Sequence, residues 1–334
     1  MDKEIRVLRS DITNPWFNLA TEDWIFRELD PRQHVLFLWR NADTVVIGRH
    51  QNPWKECKVQ KMEEDDVYLA RRQSGGGAVF HDLGNSNFTF LTAKDRYNQE
   101  DNFRIIINAL GRLGITAEKS GRNDILVEGR KVSGSAFKHT KERSFHHGTL
   151  LIHADLTRLK DYLNPQKAKL VSKGIKSVRS RVANLNEYVP HLDHDQICEA
   201  VMEAFFEYHR SRCEVEHLDY ETLASIPSLN EYFEQMKDWE WRFGNTPEFN
   251  HSMETRFDWG NMDVHIDAKR GRIEKAKIYS DSLFPEMVDA LIAELPGHRY
   301  DPEEVKEAVT GVADLFPEQR RELEEFGSWL AEAL

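Results

Sequence analysis

Two arginines, three consecutive glycines and an apolar pair run together in "RRQSGGGAVFH" (71–81). Glycine loses the most backbone entropy on folding, so gathering three of the chain's 18 glycines needs a steric reason. Close approach of the backbone to a ligand is that reason, with arginines near enough to neutralise negative charge. The bend is no P-loop, because G-x-x-x-x-G-K-[ST] does not occur in the chain, and Phe80 stands where a dinucleotide fingerprint needs its last glycine. What remains is a turn whose N–H groups can converge on an anion as a nest. Arg71 and Arg72 could add charge-assisted bonds to phosphate. A surface turn with two solvated arginines is the simpler alternative.

Three further stretches could carry chemistry. In "SGRNDILVEGRKVSGSAF" (120–137), strict alternation puts Lys131, Ser133 and Ser135 on one strand face and Val132 on the other. That face lines a cleft or meets water; the pattern does not choose. Asn123 and Asp124 suit a sugar hydroxyl, a phosphate-bound Mg2+ or an Asx turn. The adjacent histidines of "HHGTL" (146–150) point to opposite faces of a strand, so they cannot chelate one metal, and a buried, hydrogen-bonded histidine is the simpler reading. In "KAKLVSKGIKSVRSRVANL" (167–185), six basic and no acidic residues fall between Lys167 and Arg181. This is a solvated charge run or a mobile loop that neutralises a bound phosphate.

The elements around these stretches alternate between strand and helix. Apolar spacing predicts a helix over 14–29, capped by Asn14 with Pro15 in its first turn, and further helices over 102–115 and 195–210. "HVLFLWR" and "TVVIGRH" read as a hairpin across "NAD", and the chain turns back again at Glu128 and Gly129. Past a turn-rich stretch, three strands and about three helices follow. Such hairpins argue for an α+β fold of mixed or antiparallel sheets packed with helices, and against a doubly wound parallel sheet. A net charge of −12 disfavours nucleic acid as the main partner. Three scattered cysteines, Cys57, Cys198 and Cys213, make neither a disulfide framework nor a zinc site. With no long apolar run, a membrane partner is not expected and the cytoplasm is.

In their order along the chain, these runs resemble the lipoate–protein ligases. The resemblance extends from "NPWFNLA" through "LFLWRNADTVVIGRHQNPWKEC", "RRQSGGGAVFHDLGN", "SGRND", "RKVSGSAF" and "FHHGTLL" to "KGIKSVRSRVANL". It implies a biotin/lipoate ligase-like catalytic domain over 1–245, a linker over 246–253 and a small α/β accessory domain over 254–334. The implied reaction activates lipoate with ATP and Mg2+ to lipoyl-adenylate. The lipoyl group then passes to a lysine of apo lipoyl domains, those of 2-oxoacid dehydrogenase complexes and of the glycine-cleavage H protein. By the same resemblance Lys131 is catalytic and touches both the lipoyl carbonyl and the adenylate phosphate. Arg72, Gly76, Gly77, Ala78, Val79 and Phe80 line the nucleotide and acyl site, which Asn123 and Asp124 join, and the basic run becomes an adenylate-binding loop. No protein-held metal site is expected, and a monomer is. Each methylene of the acyl chain contributes about 0.8 kcal/mol on burial, with Val79, Leu38 and Val46 expected to line its slot. An octanoyl or lipoyl transferase using a preformed activated donor, and a non-catalytic protein that binds lipoyl domains, are the alternatives.

Overall fold

The computed structural model describes residues 4–28, 30–49, 51–121, 123–163, 182–244, 249–280, 282 and 284–334. The chain divides into two compact units, Met1–Arg49 with Lys55–Asp238, and His50–Trp54 with Trp239–Leu334.

The first unit carries strands β1 (Glu4–Ser10), β2 (Gln33–Trp39), β3 (Thr44–Ile47), β4 (Tyr68–Arg71), β5 (Val79–His81) and β6 (Asn85–Ala93). It continues with β7 (Glu118–Ser120), β8 (Asp124–Val127), β9 (Arg130–His139), β10 (Arg143–Leu151) and β11 (Val215–Leu218). Eight of them form one mixed sheet in the order β11-β1-β2-β6-β10-β9-β8-β7, parallel only where β1 meets its two neighbours. β4, β3 and β5 make a separate three-stranded sheet.

The expected hairpin over 34–50 does not form. β2 pairs with β1 and β6, whereas β3 pairs with β4 and β5, so the polar link between them carries the chain from one sheet to the other. The turn at Glu128 and Gly129 does form a hairpin. Both residues have positive φ, 51° and 72°, the handedness that a tight two-residue turn requires.

One face of the large sheet buries a core of Phe88, Phe90, Phe103, Ile106, Val132, Phe205 and their neighbours, against helices Gln99–Arg112 and His194–His209. Both helices begin at a side-chain cap, Asn98 accepting from Glu100 and Asp101, and Asp193 accepting from Gln196. Against the other face lies helix Pro15–Glu28. Asn14 Oδ1 accepts from the Trp16 and Phe17 amides at 2.9 and 3.3 Å, and Pro15 occupies the first turn where no donor is needed. Eleven of its 14 residues are buried, among them the polar Asn18, Thr21, Glu22 and Asp23. Buried polar groups demand partners, and theirs build the site.

In the second unit, β12 (Phe249–Phe257), β13 (Gly260–Lys269) and β14 (Arg272–Ser280) form an antiparallel sheet. Residues 249–253, read above as linker, are therefore strand. Met262, Val264, Ile266 and Ala268 alternate into a core with Leu291, Val305, Val309, Leu323 and Phe326 from three helices. Trp54 packs edge-on against Tyr300, with ring centroids 5.0 Å apart. Among the described residues no helix is long and apolar enough to cross a membrane.

Phe326→Ala empties a fully buried aromatic site and is expected to remove about 3–5 kcal/mol from the second unit. Chemical denaturation followed by tryptophan fluorescence checks this; an unchanged midpoint contradicts the packing described.

Candidate active site

Both arginines of the glycine stretch turn inward. Arg71 is fully buried, and its Nη1 donates to the carbonyls of Gly48 and Arg49 at 3.3 and 3.0 Å. Arg72 Nη1 donates to Val46 O at 3.0 Å, and Nη2 to Gly75 O and Gly77 O at 2.7 and 2.8 Å. Its Nε reaches Ser74 Oγ at 3.1 Å and Gly75 O at 3.2 Å. Burial pulls both guanidinium groups down to about 10, which leaves them charged at neutral pH. Neither arginine is a solvated surface group; both are buried staples of the bend.

The consequence falls on the glycines. With the carbonyls of Gly75 and Gly77 held by Arg72, the N–H groups of Gly75, Gly76 and Gly77 have no acceptor among the described residues, and all three glycines are exposed. Gly76 adopts φ +98°, a conformation that favours glycine. The bend also rests on Gly48, where an added Cβ would stand 2.3 Å from Gly76 O. Sequence reading had passed over Gly48, and only the meeting of two loops shows why it is glycine.

Behind the bend, Ser74 Oγ lies 2.8 Å from His147 Nε2, and His147 Nδ1 lies 2.8 Å from Glu22 Oε1. Thr89 donates to Glu22 at 2.8 Å and accepts from Trp39 Nε1 at 3.0 Å. Beside this chain, burial first, then the charge of Arg72, pulls His81 down to about 3, so its ring is neutral, and its Nε2 has no partner among the described residues. Gln73 donates to Asp23 at 3.1 Å and accepts from Lys138 Nζ at 3.1 Å, and burial lowers the Lys138 ammonium. The two histidines of "HHGTL" part as strand geometry requires: His146 faces the core, ringed by Phe88, Phe103 and Phe137, and His147 faces the bend.

Lys131 reaches the bend's side of the sheet by an irregularity. Leu126 pairs with Lys131 but Ile125 pairs with Ser133, so Val132 is one residue too many. This bulge reverses the alternation. Ser133 and Ser135 turn toward the core, and Lys131 joins Gly134, Ala136 and Lys138 on the face that carries His147. An added Cβ at Gly134 would stand 2.9 Å from Lys131 Nζ, so that glycine leaves the amine its space. The expectation of one polar face through Lys131, Ser133 and Ser135 is thus corrected. Lys131 Nζ pairs with Asp124 Oδ1 at 2.7 Å. Asn123 is fastened to β9, its Nδ2 donating to Ser135 O at 3.1 Å.

Ala78, Val79 and Phe80 are half-buried. Val79 pairs with Val46, while the Phe80 ring stacks on Tyr162 at 5.4 Å with Arg158 over it. Leu38 belongs to the core behind the sheet, opposite the acyl side expected for it; Trp39, next along β2, takes the bend's face through Thr89. The basic run Lys167–Arg181 lies outside the described residues. Just beyond it, Val182 bridges Lys131. Among the described residues no three His, Cys, Asp or Glu side chains gather as a metal site.

Residues 14–206 match the family model "Lipoyl protein ligase A/B catalytic domain", and 246–330 match "Bacterial lipoate protein ligase C-terminus". The chain belongs to the lipoate–protein ligase family. It is 56% identical to lipoate-protein ligase A of Psychrobacter cryohalolentis over 98% of both chains. Among solved structures, the chain is similar to P. falciparum LipL1 in complex with lipoate, at 32% identity and TM-score 0.65 over 98% of this chain and 99% of that one. A bipartite lipoate protein ligase from Thermoplasma acidophilum, described with its E2 lipoyl domain, aligns at 27% identity and TM-score 0.63 over 72% and 97% of the two chains. A lipoate-protein ligase A bound with ATP aligns at 26% and TM-score 0.61 over 73% and 100%.

As a lipoate–protein ligase the chain is an enzyme, and its α+β fold is the one the sequence predicted. Sequence reading missed Glu22, Trp39, Ser74, His81 and Lys138; Glu22, Trp39 and His81 stand in stretches otherwise apolar enough to be buried, whereas Ser74 and Lys138 carry no such signal.

Gly48→Ala pushes a methyl group against the Gly76 carbonyl. A displacement of about 1 Å at a reacting site lowers rates by up to about 100-fold, so adenylate formation, read as pyrophosphate release, is expected to fall steeply. A variant with wild-type rate would show that the bend is not where the reaction occurs.

Proposed function

We propose that the glycine bend and Lys131 together bind lipoate and ATP and join them. A lipoate carboxylate oxygen attacks the α-phosphorus, the bond to the β-phosphate breaks, and pyrophosphate leaves. Here anion approaches anion, so positive charge must surround the approach and meet the charge that builds up. The N–H groups of the exposed bend, which have no acceptor among the described residues, and the Lys131 ammonium supply it. In the second step the ε-amine of an acceptor lysine attacks the acyl carbon, the bond to the adenylate oxygen breaks, AMP leaves and the amine gives up a proton. The mixed anhydride is already activated, so no enzyme nucleophile is needed.

The single observation that carries this reading is an exposed bend whose Gly75, Gly76 and Gly77 N–H groups have no acceptor among the described residues, in the same unit as the Lys131–Asp124 pair. Asp124 would hold a nucleotide-borne Mg2+, whose chemistry there would be to neutralise phosphate charge. A hard cation that keeps several waters suits one protein carboxylate. We assign the nucleotide and acyl contacts to Arg72, Gly76, Gly77, Ala78, Val79, Phe80, Asn123, Asp124 and Lys131, with Arg72 acting through the loop that it holds. Catalysis lies in residues 1–245, and the C-terminal residues 254–334 are accessory. The acceptors are apo lipoyl domains of 2-oxoacid dehydrogenase complexes and the glycine-cleavage H protein, met by a cytoplasmic monomer.

A transferase working through a cysteine nucleophile is disfavoured on physical grounds. Burial pushes the Cys57 and Cys198 thiols up to about 12 and raises Cys213, so none is a thiolate at neutral pH. Cys198 sits 3.4 Å from His194 Nε2, but burial pulls that ring down to about 4, leaving a neutral pair.

Incubation with ATP, Mg2+, lipoate and an apo lipoyl domain is expected to add one lipoyl mass to the acceptor, and omission of ATP to abolish it. Lys131→Ala, at a side chain about a quarter exposed, is expected to lower adenylate formation by about 100-fold or more with a native melting curve. Near wild-type accumulation of lipoyl-adenylate in that variant would remove Lys131 from the chemistry.

A further inference from the structure

Ser74, His147 and Glu22 stand in the order of a nucleophilic triad, at 2.8 Å from Ser74 Oγ to His147 Nε2 and 2.8 Å from His147 Nδ1 to Glu22 Oε1. In hydrolases that geometry frees a serine to attack. Here Ser74 Oγ already accepts the Arg72 Nε–H at 3.1 Å, and Ser74 and Glu22 are each 1% exposed. Its oxygen is engaged and shielded, so it is not a nucleophile.

The relay takes the tautomer in which His147 Nδ1 carries the proton and Nε2 does not. Glu22 accepts from the Nδ1–H of His147, so Nε2 carries the lone pair that accepts the Ser74 hydroxyl proton. Ser74 in turn presents its oxygen to Arg72. A carboxylate at one end and a guanidinium at the other polarise two neutral groups between them, and such chains strengthen cooperatively where water is excluded. Glu22 is fixed again by Thr89, which holds Trp39, so the relay is anchored in helix Pro15–Glu28 and in strands β2, β6 and β10.

We propose that Glu22 and His147 are positioning residues: through Ser74 they aim the Arg72 guanidinium at the carbonyls of Gly75 and Gly77, and so fix the peptide that carries the Gly76 N–H, turned away from Arg72. What the bend then binds rests on the ligase reading; the relay itself does not.

The variants are His147→Leu, His147→Gln, Glu22→Gln, Ser74→Ala and the double variant Glu22→Gln/Ser74→Ala, all in the full chain. Hydrogen exchange is read at the Arg49 and Arg72 amides, which donate to Ser74 O and Ile47 O at 2.9 and 3.0 Å and close the two ends of the bend. Exchange is expected to speed up in His147→Leu and Ser74→Ala, and to stay close to wild type in His147→Gln, whose amide oxygen can accept from Ser74. In adenylate formation His147→Leu is expected to lower kcat by about tenfold, the worth of one charge-assisted hydrogen bond, with the KM for lipoate within about twofold. Glu22 and Ser74 do not touch, yet the double variant should be no slower than its slower single parent, because both cut one relay.

Unchanged exchange in His147→Leu overturns the proposal. So does a raised KM for lipoate at constant kcat, which would make these residues walls of the acyl slot, and so does a double variant whose losses multiply. Should the His147 variants fail to melt cooperatively, Ser74→Ala, which deletes a single oxygen, decides on exchange and kcat alone. A wild-type chain that makes no lipoyl-adenylate removes the ligase reading, and the exchange result still judges the relay.

Discussion

Two buried guanidinium groups set the terms for this site. A cation taken out of water must find acceptors, and Arg71 and Arg72 find theirs in the backbone carbonyls of the loops on either side. A trans peptide points its N–H opposite its C=O, so holding the Gly75 carbonyl turns the Gly76 amide away from Arg72. Positive charge therefore stands behind the bend, in a low dielectric that strengthens its pull on any anion in front, rather than on side chains projecting from it.

The rest of the catalytic unit is arranged to keep that bend in place. Its large sheet has one face for cohesion and one for chemistry, and neighbouring residues divide between them. His146, Phe88, Leu38, Ser133 and Ser135 go to the core; His147, Thr89, Trp39, Lys131 and Lys138 go to the bend. On the core face Gly148 leaves room for the ring of its cross-strand neighbour, since an added Cβ there would stand 2.4 Å from the Phe88 ring. Each strand therefore does structural and functional duty in alternate positions, and a one-residue shift of register would exchange the two.

Much of this was legible in the amino-acid sequence wherever the determining interaction is local. Asn14 and Pro15 announce their helix through a cap that spans three residues, and Glu128–Gly129 announces its turn because few sequences tolerate two positive φ angles in succession. The opposed histidines followed from strand geometry alone. What could not be read depends on partners far away in sequence. The link after Trp39 changes sheets because β3 finds β4 and β5, and no residue in "NAD" says so. The bulge at Val132 is visible only once β8 and β9 are paired, and it alone decides that Lys131 shares a face with Lys138 instead of Ser133. The two arginines looked like phosphate ligands because their type suits phosphate. The carbonyls that hold them here, of Val46, Gly48, Arg49, Gly75 and Gly77, have no side-chain signature, and only Ser74 adds a side-chain acceptor.

The most direct measurement is a crystal structure of the enzyme with lipoyl-adenylate bound. The account predicts the adenylate phosphate within hydrogen-bonding distance of the Gly76 or Gly77 amide and of Lys131 Nζ, with Arg72 still holding the carbonyls of Gly75 and Gly77. A phosphate held by Arg72 after release of those carbonyls, or seated away from the bend, would contradict it.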